Sequence, residues 1–301
     1  MPSAPAAPTS TILATAVTPW TDSYQFDEET FCRQVRTITH DLTNHIYVFG
    51  TAGEGYAVTD KQFDQIVTAF TRTMKECKGT PMVGVVSLAL GTMIERIERA
   101  HAQGVREFQL SLPSWGALND HELDVFFAET CGRFPDCNFL HYNLLRTKRR
   151  LTSVEYLRLA AAHPNLVAVK AGTNDEAIVA DWLKVSPRLR FYLTEGAYAI
   201  ARRTHEVGLL ISLASINPKR AKRFVSGTNA ERTADEAELR AMLAVLLKRA
   251  ENRFHMDGAF DKLLFKVSDP SFPLRLLPPY ASSSDEDYAE FMKVIPPGWR
   301  Q

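Results

Sequence analysis

Long apolar runs are missing from this chain of 301 residues. No stretch approaches the roughly 18 consecutive apolar residues that a membrane-spanning helix needs, so no membrane partner is expected. An excess of either charge is also missing, since 35 basic residues stand against 35 acidic ones. That balance excludes the basic footprint of a nucleic-acid-binding surface and an acidic tail. The runs Lys148-Arg149-Arg150 and Lys219-Arg220 are short and read as solvated loops or helix starts. Cysteine is scarce: Cys32, Cys77, Cys131 and Cys137 show no Cys-x-x-Cys spacing. A dense disulfide framework is thereby excluded, and so is a Cys/His cluster with metal-ligand spacing; no metal and no cofactor are expected. Buried thiols in a reducing compartment are the default, which makes the cytoplasm the expected location. Residues 1–11 are rich in Pro, Ala and Ser and lack the charged and apolar regions of a signal peptide, so they read as a flexible leader. No Gly-x-Gly-x-x-Gly turn follows the first apolar run, which argues against a doubly wound dinucleotide-binding sheet.

What is present is alternation. Short apolar runs begin at Ile12, His45, Pro81, Glu107, Asn138, Leu166, Arg190 and Leu209. Each is too short for a globular helix and reads as a strand buried on both faces, as in a parallel sheet. Helical spacing fills the gaps over Thr30–Thr39, Asp60–Lys75, Thr92–Gln103, His121–Arg133, Ser153–Ala162, Glu176–Lys184 and Tyr198–Val207. Thr59, Asn119 and Thr152 are natural N-caps, and Gly104 and Gly208 fall where C-caps would. Strand and helix alternating in this way predict an α/β fold, a (β/α)8 TIM barrel over residues 12–225. A C-terminal helical extension over 226–301 follows, with helices expected over Asn217–Phe224, Ala234–Arg253, Phe260–Val267 and Asp285–Lys293.

Active sites of such barrels lie at the carboxyl ends of the strands. The unusual residues of the chain fall there. After the second strand comes Gly50-Thr51-Ala52-Gly53-Glu54-Gly55. Its glycines permit a tight turn whose N–H groups can face an anion, and Thr51 adds a hydroxyl; a plain glycine-rich turn is the alternative. After the fifth strand stands Tyr142, either a phenol that moves protons or a core aromatic. The sixth strand runs straight into Lys170. An ammonium at a buried strand end is costly, and burial favours the neutral amine that attacks a ketone carbon. A lysine reaching outward to water is the competing reading.

Together these elements resemble the dihydrodipicolinate synthase / N-acetylneuraminate lyase family. The resemblance extends to Thr15-Ala16-Val17-Thr18-Pro19 and Ile211-Ser212, and so runs from about Ile12 into the C-terminal helices. It implies the same barrel with a C-terminal helical extension and a homo-oligomer, tetramer or dimer. It further implies a class I lyase or aldolase acting on pyruvate or a related 2-keto acid, with an aldehyde as candidate second substrate. Lys170 would form the imine, Tyr142 would be the general acid/base, and Thr51, Ala52 and Gly53 would hold the carboxylate. Trp115, Arg146, Gly196 and Ile211 are the further substrate-binding candidates.

Departures from the family narrow the substrate. Ala52 stands where a second hydroxyl residue is common, and Trp115 where the synthases carry a tyrosine that completes a proton relay. An indole N–H donates but does not shuttle protons as a phenol does. Arg146 follows Asn143 after two residues rather than the usual three, and Ala197-Tyr198 replaces acidic residues after Gly196. These differences argue against dihydrodipicolinate synthase itself. The alternatives are a keto-acid-binding homologue with lost or altered turnover and a sugar-acid dehydratase or hydratase-aldolase. A phosphate-binding isomerase is disfavoured because Leu213-Ala214-Ser215-Ile216-Asn217 lacks a glycine-rich turn.

Overall fold

The computed structural model describes residues 11–250 and 257–300. Eight parallel strands close into a barrel in chain order: β1 (Ile12–Thr15), β2 (His45–Val48), β3 (Thr80–Gly84), β4 (Glu107–Leu110), β5 (Asn138–Asn143), β6 (Leu166–Ala171), β7 (Arg190–Leu193) and β8 (Gly208–Leu210). The expected apolar runs supply all of them. Every residue of β6 is buried, as a strand covered on both faces requires. Between the strands run α1 (Glu28–Asp41), α2 (Asp60–Glu76), α3 (Leu90–Ala102), α4 (Asp120–Phe127), α5 (Ser153–Ala162), α6 (Glu176–Leu183) and α7 (Glu195–Ala201). Thr59, Asn119 and Thr152 cap their helices reciprocally with Gln62, Glu122 and Glu155, so each side chain satisfies a backbone N–H that the first turn leaves open.

Local differences from the sequence reading have local causes. The helix expected over His121–Arg133 is interrupted by a π-helical turn at Ala128–Gly132. A wide turn releases carbonyls from the regular ladder, and Asn165 Nδ2 lies 2.9 Å from the Cys131 carbonyl and 3.0 Å from that of Phe134. Gly208 is not a helix cap but the first residue of β8. A Cβ there would come within 2.5 Å of the Tyr192 ring, so packing between neighbouring strands selects the glycine. The helix before it is α7, which starts directly after Thr194 and ends at Ala201, short of the expected Val207. β8 stops at Leu210, and Leu213–Ile216 forms a 3-10 turn in place of further strand.

No strand follows β8 among the described residues. The chain continues as α8 (Pro218–Ser226), α9 (Asn229–Ala250), α10 (Asp257–Ser268) and α11 (Asp285–Val294). The leader expected at 1–11, apart from Thr11, and the end of the helix expected over Ala234–Arg253 lie outside the described residues. No helix of the described residues is long and apolar enough to cross a membrane.

The chain divides into two compact units. One joins the segment ending at Leu13 to Thr80–Leu210; the other joins Ala14–Gly79 to the chain from Ile211 onward. The first is centred on aromatic side chains such as Phe108, stacked on Phe139 at 5.9 Å, and the fully buried Trp182. The second buries Trp20, Phe63 and Phe70 completely, with Phe49 stacked on Phe63 at 5.0 Å. Rings at these separations add to the area they remove from water.

Candidate active site

In the first unit, parallel pairing puts Lys170 of β6 beside Tyr142 of β5. The lysine is only 2% exposed. Its Nζ lies 3.9 Å from the centroid of the Tyr142 ring and donates to Gln109 Oε1 at 3.0 Å. The amine thus rests on an aromatic face and a neutral amide oxygen. Tyr142 is held in register by its neighbour. Asn143 donates to the Leu151 carbonyl and accepts from the Leu151 N–H, both at 2.9 Å, which fixes the path of the chain after β5.

Gln109 was not among the residues singled out in the sequence. It lies in the middle of β4 with no exposed surface, and its Nε2 has no hydrogen-bond partner among the described residues. A buried amide left half satisfied costs about 1–3 kcal/mol. The available signal was a glutamine inside the otherwise apolar run Phe108-Gln109-Leu110.

Other candidates of this unit lie on loops. The Trp115 side chain is 84% exposed, while its carbonyl accepts from Lys148 Nζ at 2.9 Å. Arg146 is exposed in the short turn Leu145–Thr147 after β5. Gly196, in the first turn of α7, has the Asn174 amide oxygen lying where a Cβ would project.

In the second unit, the turn after β2 is shaped by its own chain. Phe49 and Glu54 flank it with φ of 64° and 56°, left-handed values that non-glycine residues adopt at a cost. The N–H groups of Glu54 and Gly55 donate back to the carbonyls of Thr51 and Gly50. Those of Thr51, Ala52 and Gly53 make no hydrogen bond among the described residues. Gly53 is required by close approach, since a Cβ would lie 2.8 Å from the Phe49 nitrogen and 3.1 Å from the Ala16 carbonyl.

Glu54 anchors the turn. Fully buried, it accepts from Trp20 Nε1 at 2.8 Å, from the Leu277 N–H at 2.7 Å and from Lys262 Nζ at 2.6 Å. Lys262, on α10, also donates to the Arg275 carbonyl. Burial pushes its ammonium down to about 8, against the opposing pull of Glu54. Gly258 lets the same helix approach, because a Cβ there would lie 3.2 Å from the Ala52 carbonyl.

Ile211, directly after β8, is buried and lines a cavity of about 420 Å³ with Thr15, Gln34, Asp261 and Phe265. Neither Lys170 nor Tyr142 lines that cavity.

Metal-ligand spacing occurs at His101, Asp136 and Cys137, in the first unit. Their donors are otherwise engaged. Asp136 bonds His101 at 2.8 Å and Arg106 at 3.4 Å, and burial pushes the Cys137 thiol up to about 12, which opposes the thiolate a metal needs.

Residues 8–296 match the model of the dihydrodipicolinate synthetase family. A Rhodococcus opacus protein named "Probable 5-dehydro-4-deoxyglucarate dehydratase" is 24% identical over 183 residues, which are 60% of this chain and 59% of that protein. The chain therefore matches less than two thirds of that relative's length. Many solved structures share the fold. A prophage protein of E. coli K12 from the dihydrodipicolinic acid synthase family, in complex with pyruvate, superposes with a TM-score of 0.82 at 13% identity, covering 95% of this chain and 97% of its own. Dihydrodipicolinate synthase from Agrobacterium tumefaciens gives 0.81 at 20% identity, covering 95% of this chain and 98% of its own.

Proposed function

The chain belongs to the dihydrodipicolinate synthetase family, and from that premise we propose that it is a class I lyase whose Lys170 forms an imine with pyruvate or a related 2-keto acid. The observation that carries the reading is the setting of Lys170: a buried amine at the end of β6, against an amide oxygen and a phenol ring. Its lone pair would attack the ketone carbon. The ketone oxygen takes up protons and leaves as water, and a protonated imine remains. That cation draws electrons from the adjacent carbon, so a C–H or C–C bond to that carbon breaks and its electron pair forms an enamine; where the next carbon bears a hydroxyl, the enamine formed by C–H loss then expels it, and the hydroxyl leaves as water once protonated. The Tyr142 hydroxyl is assigned the proton transfers. The carboxylate is assigned to Thr51, Ala52 and Gly53. That assignment rests on the motif and on their N–H groups, which bond no other described group.

The Rhodococcus relative favours a second reading within the same chemistry, a dehydratase of a sugar acid. Loss of water and loss of a carbon fragment pass through the same imine, so product identity separates them. An aldehyde as partner, a homotetramer or dimer, and a cytoplasmic location remain parts of the proposal; the four free thiols suit a reducing compartment.

Borohydride reduction in the presence of a panel of 2-keto acids, read by mass on Lys170, tests the imine. An adduct with pyruvate or a longer keto acid is expected. Its absence across the panel would overturn the reading. An adduct with no turnover of any aldehyde or sugar acid would instead mark a binding homologue.

A further inference from the structure

We infer that Gln109 is the positioning residue for the Lys170 amine, holding it as a directed, uncharged nucleophile and then holding the imine that it forms. The inference rests on the imine reading above and adds to it a residue on a different strand. Gln109 Oε1 accepts from Lys170 Nζ at 3.0 Å. The other half of the same amide, Nε2, is buried with no partner among the described residues. A side chain present only to fill the core would be apolar, and one present for a polar network would be satisfied at both ends. Among the described residues, the side chain's hydrogen bond is the one to the lysine.

The chemistry explains why an amide suits the position. A carboxylate beside Nζ would stabilise the ammonium, which has no lone pair with which to attack. A hydrocarbon would remove the acceptor that directs the amine. An amide oxygen accepts one N–H and carries no charge, so it directs the nitrogen without protonating it. When the amine adds to the ketone and water leaves, the nitrogen keeps one proton, and the same oxygen accepts that N–H. The C=N plane is then fixed, and with it the direction in which the adjacent bond must break. The titratable and charged groups on the strands packed beside β6 are His141 and Tyr142 on β5 and Arg190 and Tyr192 on β7; the Tyr142 ring lies under the amine, and Tyr192 is the register partner of Lys170. Burial raises the Tyr192 phenol and lowers the His141 imidazole, so both stay neutral at working pH, and the Arg190 guanidinium is paired with Glu206 at 3.0 Å.

The test uses full-length wild type, Gln109→Met and Gln109→Glu, with folding checked by thermal melting. Two readouts are taken: the rate of borohydride-trapped pyruvate adduct on Lys170, and the pH dependence of Lys170 labelling by an amine-reactive anhydride without keto acid. Gln109→Met should lower the adduct rate at least tenfold while the melting temperature holds. Gln109→Glu should move the labelling midpoint of Lys170 at least one pH unit upward, and the adduct rate should recover as pH rises. Wild-type adduct rates in Gln109→Met, or an unmoved labelling midpoint in Gln109→Glu, would overturn the inference. If wild type itself forms no adduct, the imine reading fails, and the labelling comparison still decides whether Gln109 governs the amine.

Discussion

Glu54 and Lys262 are 208 residues apart in the chain and meet as a buried ion pair, Oε1 to Nζ at 2.6 Å, with neither side chain exposed. The pair ties the turn after β2 to α10. Removing one member leaves the other charge buried without its partner, which typically costs 3–5 kcal/mol, or about that range here. Lys262→Met and Glu54→Gln should each destabilise by about that much in denaturant unfolding. The double substitution should cost less than the two single losses added together, because no stranded charge remains. Additive losses would show that the two side chains act independently.

Much of this architecture was legible in the sequence, and the rest was hidden for identifiable reasons. The strands stood out because a run such as Leu166-Val167-Ala168-Val169 is buried on both faces and must be apolar throughout. Helix starts stood out where a cap was paired, as at Thr152 and Glu155. The start of α7 did not, because Thr194 makes no side-chain cap bond and the apolar run of β7 leads straight into it. The π turn at Ala128–Gly132 is stabilised from outside by Asn165, which no local pattern reveals. Lys170 and Tyr142 were visible as strand-end residues, and adjacent strands bring them together. Gln109 was passed over because a single polar residue does not break an apolar pattern. Glu54 was read as part of a turn, since a partner so far along the chain leaves no trace in spacing.

Two glycines of the candidate site should tolerate a methyl group unequally. At Gly53 a Cβ meets backbone, the Phe49 nitrogen at 2.8 Å and the Ala16 carbonyl at 3.1 Å. Backbone cannot step aside without moving the turn, so Gly53→Ala should cost about 1–3 kcal/mol. At Gly196 the obstacle is the end of the exposed Asn174 side chain, which can rotate away. Gly196→Ala should therefore melt within a few degrees of wild type. Comparable losses at the two positions would refute the distinction.

Tyr142→Phe separates the ring from the hydroxyl. The ring under the Lys170 amine is retained, so borohydride should still trap the pyruvate adduct. Proton transfer loses its donor, and turnover of the productive substrate should fall by about 10²- to 10⁴-fold. An unchanged kcat with a raised KM would instead make Tyr142 a binding surface.

His141, next to Tyr142 on β5, should make the fold sensitive to acid. It is 1% exposed and its Nδ1 lies 2.8 Å from the Tyr156 hydroxyl. Burial pushes the imidazole down to about 3, and nearby Glu155 opposes this only weakly. In the unfolded chain the same ring titrates near its ordinary value of about 6.5. Between those values the unfolded state binds a proton that the folded state refuses, so stability rises with pH across the window and is lost as pH falls from about 6.5 towards 3. At roughly 1.4 kcal/mol per pH unit, this one group should remove about 2–3 kcal/mol by about pH 4.5. Carboxylates such as Asp181 and Asp235, which are held low in the folded state, add their own losses at lower pH, so the comparison must be made against a variant. His141→Gln keeps a polar group facing Tyr156 and removes the titration. Its denaturant midpoint should therefore fall less steeply than that of wild type between pH 6.5 and 4.5, and parallel curves would show that the buried imidazole is not the group that titrates.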